Sequence, residues 1–172
     1  NVVLHMTNII IIGIIMFSWV VFGNLGIHHY YKKKREKVLT SLNGRKYEIA
    51  KNVDTYISGK SRLSISYQRK KSDVVFYENN ILILPYNETK LFKQYQPSVQ
   101  YSFSPTENKV NGISTLIRIE NVMQKGNRIK FIHKGIGGIL NGKMETELEF
   151  PPNETDLKVI VDKNKYAVQQ WL

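Results

Sequence analysis

The feature that most constrains this chain is a long uncharged stretch at its start. No Asp, Glu, Lys or Arg occurs before Lys32, and nearly every residue in 9–27 is apolar or small. A helix rises about 1.5 Å per residue, so about 20 such residues cover the roughly 30 Å hydrocarbon core of a bilayer. A helix also satisfies its own backbone groups there. Residues 1–31 are therefore predicted to form an N-terminal tail and a single transmembrane helix.

Two other interpretations of this stretch fit its residues less well. As a buried core helix it would require a small domain to cover a helix that is apolar all round. As a cleaved signal peptide it would need positive charge before the apolar run and a small-residue cleavage site. No Lys or Arg precedes Ile9, and residues 22–26 (FGNLG) do not form such a site. We therefore expect an uncleaved anchor.

The orientation of the anchor is predicted from the charges that flank it. Residues 32–37 (KKKREK) follow the apolar stretch at once, and Lys and Arg near a span stay preferentially on the cytoplasmic side. Tyr30 and Tyr31 fall where interfacial aromatic residues are expected. The sequence predicts a single-pass protein of the cell membrane, with the N-terminus outside and the C-terminal domain in the cytoplasm.

Positive charge is concentrated beside the predicted anchor. Residues 32–71 carry 13 Lys or Arg and 3 Asp or Glu, a net charge of +10. Residues 72–172 carry 12 Lys or Arg and 11 Asp or Glu, a net charge of +1. A nucleic-acid-binding domain would carry its basic face on the folded unit, so no nucleic-acid partner is expected. Basic residues beside a membrane attract anionic lipids instead, at roughly 1 kcal/mol each.

The basic residues of this region are the candidate lipid-binding residues. They are Lys32, Lys33, Lys34, Arg35, Lys37, Lys60, Arg62, Arg69, Lys70 and Lys71. The first five belong to a basic juxtamembrane neck, residues 32–52, which is expected to continue the helix for about three turns, to Leu42. A stop-transfer role explains the first five fully but not the second five, for which lipid contact is left open.

From residue 53 the apolar residues recur with a period of two, which is typical of half-buried strands. Residues 74–77 and 81–84 are two apolar runs around a short Asn-containing turn, and they predict a β-hairpin. Residues 69–73 (RKKSD) predict a polar turn before it. Lys125-Gly126-Asn127 predicts another turn further on.

The last part of the chain predicts a strand and then a helix. In residues 143–150 (KMETELEF) apolar residues alternate with Glu, the pattern of an antiparallel strand with one solvated face. Residues 153–171 predict a closing helix, with a final strand around residues 159–161 as the alternative. Residues 53–172 are therefore predicted to form one mainly β, antiparallel domain with a C-terminal helix.

Some of these segments resemble a known family. Residues 73–85 (DVVFYENNILILP) are similar to the hairpin of bacterial pleckstrin-homology-like (PH-like) and GRAM-like domains. Residues 113–122, 128–133 and 144–150 resemble the second half of such domains. The resemblance covers residues 57–172. It implies a barrel or sandwich of about seven antiparallel strands whose open end is plugged by the C-terminal helix.

The resemblance also carries expectations about particular residues. It implies that Val168, Trp171 and Leu172 are core residues of the closing helix. Phosphoinositide-binding members of the family place basic residues in the loop that joins their first two strands. Arg69, Lys70 and Lys71 would occupy that loop if the strand count holds.

The residues offer little for catalysis. Cys is absent, which excludes thiolate metal sites and Cys nucleophiles. His133, on a predicted strand, is interpreted as a packed side chain, and Gly135-Ile136-Gly137-Gly138 as a turn, since no helix follows to receive a phosphate. Glu145, Glu147 and Glu149 are interpreted as solvated or paired with a neighbouring strand. We expect no enzyme activity, no metal and no cofactor.

The predicted function is that of a membrane-anchored PH-like binding module. It would contact anionic lipid headgroups, or a protein partner, at the cytoplasmic membrane face. The alternative is a structural accessory subunit of a membrane protein complex, whose small residues (Gly13, Ser18, Gly23 and Gly26) would pack against other helices. An exported domain or an enzyme is the third and least favoured interpretation.

Overall fold

The structure is a computed structural model that describes residues 2–60, 65–88, 93–104, 106–134 and 143–151. It contains one long helix, α1 (Val2–Ser41), followed by eight strands. The strands are β1 (Tyr47–Lys60), β2 (Ile65–Tyr77), β3 (Asn80–Glu88), β4 (Lys93–Tyr95), β5 (Val99–Ser102), β6 (Thr115–Lys125), β7 (Arg128–Lys134) and β8 (Lys143–Glu149).

The helix α1 confirms the predicted apolar helix and its continuation through the basic run. Among the described residues it is the one helix long and apolar enough to cross a membrane. Among the described residues, the large apolar side chains from Ile11 to Phe22 are exposed, with Trp19 83% exposed. The helix ends at Ser41, and Gly44 (φ +81°) then takes a left-handed conformation that favours glycine.

Seven strands close into a barrel behind this helix. Their order is β2-β1-β8-β7-β6-β5-β3, and the pairing of β2 with β3 closes the ring. The short β4 pairs with the last three residues of β3, beyond the point where β5 leaves that edge. The predicted mainly β architecture of about seven strands is confirmed.

The prediction that the sheet is antiparallel is wrong at one pairing. β5 and β6 run parallel, with Val99 beside Thr115. The chain between them returns from the end of β5 to the level of its start, where the amide groups of Ser114 and Thr115 donate to the carbonyl oxygen of Ser98 at 3.0 and 3.3 Å. A parallel pair needs a crossover connection of about a dozen residues, and residues 103–114 provide it.

The predicted hairpin is confirmed, but the prediction of a polar turn before it, at residues 69–73, is wrong. Tyr77 pairs with Asn80 across the two-residue turn Glu78–Asn79, and Glu78 has a φ of +48°. Residues 69–73 lie inside β2 instead of forming a turn. The side chains of Arg69, Lys71 and Asp73 alternate with those of Lys70 and Ser72, so these three charged residues lie on the outer face of a long strand.

The barrel interior forms the main core of the described part of the chain. The inward-facing positions of β8, Thr146 and Leu148, are fully buried, as the alternation with Glu predicts. The buried members of this core are Ala50, Val53, Val74, Phe76, Ile81, Ile83, Tyr101, Ile117, Ile129, Phe131, Leu148 and Phe150.

A second buried cluster lies on the outside of the barrel, beneath the last turns of α1. Val38 and Leu42 of the helix are 0% and 1% exposed. They pack with barrel residues of β2 and β3 and with the β5–β6 connection: Val75, Tyr77, Leu82, Leu84 and Ile113. The neck is thus a docked part of the fold.

Several predictions fall outside the described residues. They concern the closing helix at 153–171 with its core residues Val168, Trp171 and Leu172, the turn at 135–138, and Arg62.

Candidate membrane-contact surface

Arg35 is the basic residue of the neck that faces the barrel. Its guanidinium forms an ion pair with Asp73, and the two side chains are only 17% and 15% exposed. The same group donates to the carbonyl oxygen of Leu84 at 3.4 Å and lies 5.2 Å from the centroid of the Tyr95 ring. Through these contacts, Arg35 holds the helix against the barrel.

The other basic residues of the neck are on or near the opposite side of the helix. Lys32, Lys33 and Lys37 are exposed. Lys34 is half-buried, with its ammonium 4.8 Å from the centroid of the Tyr30 ring. Because Arg35 and Val38 face the barrel, these exposed lysines point away from it, into the solvent beside the end of the apolar stretch.

An open depression lies beside these lysines. It has a volume of about 370 Å³ and is lined by Lys33, Glu36, Lys37, Thr40, Ser41 and Asn111. Two ammonium groups, the Thr40 hydroxyl and the Asn111 amide can donate to phosphate oxygens, whereas the Ser41 hydroxyl donates to the carbonyl oxygen of Val38 at 2.7 Å. Glu36 reduces the local positive charge.

The basic residues of β2 are divided between its two faces. On the outer face, Lys71 and Arg69 contact the carboxylate of Asp54 at 2.9 and 3.4 Å. Burial raises the pKa of Asp54, but hydrogen bonds and charge from the two cations outweigh it and hold that pKa below its usual value. Lys70 points to the other face, where burial lowers its pKa. Lys60 is the last residue of β1.

The hairpin of β3 and β4 lies along α1, an arrangement that the sequence analysis missed. The ring of Tyr95 stacks on His28 with centroids 5.4 Å apart, and Gln94 donates to the side-chain oxygen of Asn24 at 3.5 Å. A signal was present in the sequence. Asn24 and His28 are polar residues one helical turn apart in an otherwise apolar stretch, so they share one face.

The glutamates of β8 are paired with cations of the next strand, as expected. Arg128 contacts Glu147 and Glu149 at 3.2 and 3.0 Å, and Lys130 contacts Glu145 at 2.9 Å. The negative charge of the glutamates in the shallow depression of about 280 Å³ on this outer face is therefore largely neutralised by Arg128 and Lys130.

His133 is a packed side chain, as the sequence analysis expects. It is 1% exposed, its Nε2 lies 3.1 Å from the Thr146 hydroxyl, and its Nδ1 lies 2.9 Å from the carbonyl oxygen of Lys134. Burial lowers the pKa of His133 and raises that of the neighbouring Tyr101 to about 12. Within the described ranges, no group of three or more His, Cys, Asp or Glu is placed to hold a metal ion.

Comparison with known proteins identifies no family for this chain. No protein-family model matches the sequence, and no curated protein matches it. What the structure defines is a class of architecture, a closed seven-stranded barrel behind an N-terminal helix that is apolar and long enough to span a membrane.

Proposed function

We propose that this chain is a single-pass membrane protein whose barrel is a PH-like binding module, held at the cytoplasmic face of the membrane to contact anionic lipid headgroups. The observation that carries the proposal is the continuity of α1. One helix runs without a break from the apolar stretch into the neck that docks on the barrel. A barrel attached in this way stays within a few nanometres of the bilayer.

The charges support the lipid side of the proposal. Lys32 and Lys33 follow directly on the apolar stretch, and Lys37 lies about 7 Å further along the helix axis. All three are exposed, beside a depression rich in donor groups. Each basic residue near an anionic surface contributes roughly 1 kcal/mol. The same positive charge favours the cytoplasmic side.

The proposal is tested on the full chain in nanodiscs. Since the chain has no Cys, a donor dye on Asn43→Cys, an exposed neck position outside the depression, labels one site. Acceptor-labelled phosphatidylserine or phosphatidylcholine is then added in trace amounts to the same neutral bilayer. We expect stronger energy transfer to the anionic lipid, and a loss of that preference in the variant Lys32→Gln/Lys33→Gln/Lys37→Gln. Equal transfer to both lipids at low salt would contradict lipid recognition by the neck.

A protein-complex subunit remains the second candidate function. It is favoured by the exposed apolar part of α1, where a Cβ atom added at Gly13, Gly23 or Gly26 would meet no atom of the described residues within 4 Å. Small residues of this kind allow helices to pack closely in a membrane. Cross-linking that captures a defined partner helix through these glycines, without any anionic lipid preference, would favour this function over lipid binding.

A further inference from the structure

The contacts of α1 determine which end of the barrel faces the membrane. Moving from Arg45 towards the start of the helix, the contacts on the barrel move steadily along β3. Arg45, just after the helix, lies 5.3 Å from the centroid of the Tyr77 ring, and Tyr77 pairs with Asn80 at the start of β3. Arg35 reaches the carbonyl oxygen of Leu84, further along β3. His28 and Asn24 then reach β4, at the level of the last residues of β3. Helix and strand therefore run side by side towards the apolar stretch.

The antiparallel pairings show which ends of the other strands lie at the same end of the barrel. The end of β3 lies at the same end of the barrel as the start of β2, the end of β1, the start of β8 and the end of β7. We name this the span-facing end. The turns Glu78–Asn79 and Gly126–Asn127 lie at the opposite end.

Four of the eight described strand boundaries at the span-facing end are lysines, namely Lys60, Lys93, Lys134 and Lys143. The other four are Ile65, Glu88, Val99 and Thr115. Lys134 and Lys143 are directly opposed on neighbouring strands. Like charges that face each other across strands are destabilising, and an anion between them would relieve that repulsion.

The ammonium groups of Lys93, Lys134 and Lys143 are exposed to an external anion. Lys134 is 88% exposed and has a long contact of 3.8 Å with Glu120. Lys143 is also exposed. Lys93 is 44% exposed and contacts Glu88, itself 49% exposed, at 3.4 Å. Exposed ion pairs of this length are weak. The Lys93 ammonium also lies 4.5 Å from the centroid of the Tyr86 ring, so Lys134 and Lys143 are the less engaged of the three.

The polar contact between Asn24 and Gln94 indicates how close the span-facing end lies to the bilayer. Two amide side chains are unfavourable in hydrocarbon, so they belong at headgroup level. The helix before Asn24, residues 2–23, is about 33 Å long, and its residues 9–23 are nearly all apolar, so it is long enough to span the core. The span-facing end of the barrel then lies beside the headgroups.

We propose that the span-facing end is a second membrane contact, at which Lys134 and Lys143, with Lys93, bind the phosphate groups of anionic lipids. This inference rests on the proposed membrane attachment through α1. It adds three residues that the sequence analysis did not include among the lipid-binding candidates.

The orientation is tested with two single-Cys variants of the full chain in nanodiscs. Lys143→Cys places a fluorophore at the span-facing end, and Asn127→Cys places the same fluorophore at the opposite end. A lipid with a nitroxide on its headgroup quenches fluorophores near the bilayer surface. We expect strong quenching at position 143 and weak quenching at 127. Equal quenching, or stronger quenching at 127, would overturn the inference even if the neck still preferred anionic lipid.

The lipid contact itself is tested with a charge-matched pair of variants. Lys134→Gln/Lys143→Gln removes two charges at the span-facing end, and Lys109→Gln/Lys125→Gln removes two exposed charges elsewhere. The first pair should lower the enrichment of phosphatidylserine, measured from Asn43→Cys, by roughly fivefold or less per lysine at low salt. The control pair should leave it nearly unchanged. Equal effects of both pairs would rule out a specific contact, whereas loss only in the neck variant would retain the proposed function alone.

Discussion

Gly112 is the position at which the docking of the neck can be tested most sharply. It lies in the β5–β6 connection with a φ of +91°. A Cβ atom added there would lie 2.6 Å from the backbone carbonyl oxygen of Lys34 and 3.0 Å from Val38. Gly126, in the turn between β6 and β7, provides the matched control, because its φ is also positive (+60°) but an added Cβ atom meets nothing within 4 Å.

The expected magnitude follows from comparing the two variants. Both Gly112→Ala and Gly126→Ala incur the cost of a left-handed alanine, about 1–2 kcal/mol, which largely cancels between them. Gly112→Ala adds a clash with helix backbone, and overpacking of this kind costs about 1–3 kcal/mol. If the neck undocks instead, Val38 and Leu42 lose burial worth about 1.5–3 kcal/mol each. We therefore expect an excess destabilisation of about 1–3 kcal/mol for Gly112→Ala.

Two measurements on the full chain in nanodiscs check this prediction. Denaturant unfolding of the barrel gives the difference in stability between the two alanine variants. Hydrogen exchange reports on the neck amides, which should exchange faster only in Gly112→Ala, since exchange follows local opening. If both variants were equally destabilised and neck exchange were unchanged in each, the neck would not be packed against Gly112 as described.

Three further predictions concern stability. Arg35→Gln and Asp73→Asn should each cost about 1–3 kcal/mol and be non-additive, because both remove the same half-buried ion pair; additive effects in a double-mutant cycle of urea unfolding would contradict this. Burial lowers the pKa of His133, so below about pH 6.5 the unfolded state takes up the proton first. Stability should therefore fall as the pH drops from about 6.5 towards the folded-state pKa, and this slope should flatten in His133→Gln when unfolding is measured at several pH values. Thr146→Val should cost about 1–3 kcal/mol, since it leaves the buried Tyr101 hydroxyl without its partner; an unchanged midpoint of urea unfolding would show that the hydroxyl network contributes nothing.

Local sequence patterns predicted the elements that depend on neighbouring residues alone. The hairpin around Glu78 and Asn79 and the turn at Gly126 follow from short polar segments between apolar runs, and both are confirmed. The alternation in β8 places Thr146 and Leu148 in the barrel and the glutamates outside. Each pattern reports whether a side chain faces water, which is a local property.

Closure of the barrel could not be predicted in the same way. The parallel pairing of Val99 with Thr115 depends on how residues 103–114 return along the sheet, and no period in the sequence records that path. The misassigned turn at residues 69–73 has a different cause. A run of charges on a strand resembles a turn unless its partner is known, and here the partner is Asp54 on β1.

The docking face of α1 was readable in the sequence but was hidden by the basic run. His28, Tyr31, Arg35, Val38 and Leu42 recur at intervals of three and four residues, which places them on one side of a helix. All five are buried or half-buried against the barrel side. Judged by charge alone, residues 32–37 are a single lipid-facing group, whereas the helical period separates Arg35 from the exposed lysines.

Docking of the neck also determines how membrane contact must be measured. A fragment that begins after Ser41 would lose Val38, and with it the cover over Val75 and Leu82, which are both fully buried. An exposed apolar patch of this kind binds membranes and other proteins non-specifically. Vesicle binding by such a fragment would therefore report the uncovered cluster, while the lysines of the neck would be missing. Only the full chain presents the lysines and the span-facing end together, in the orientation that α1 gives them.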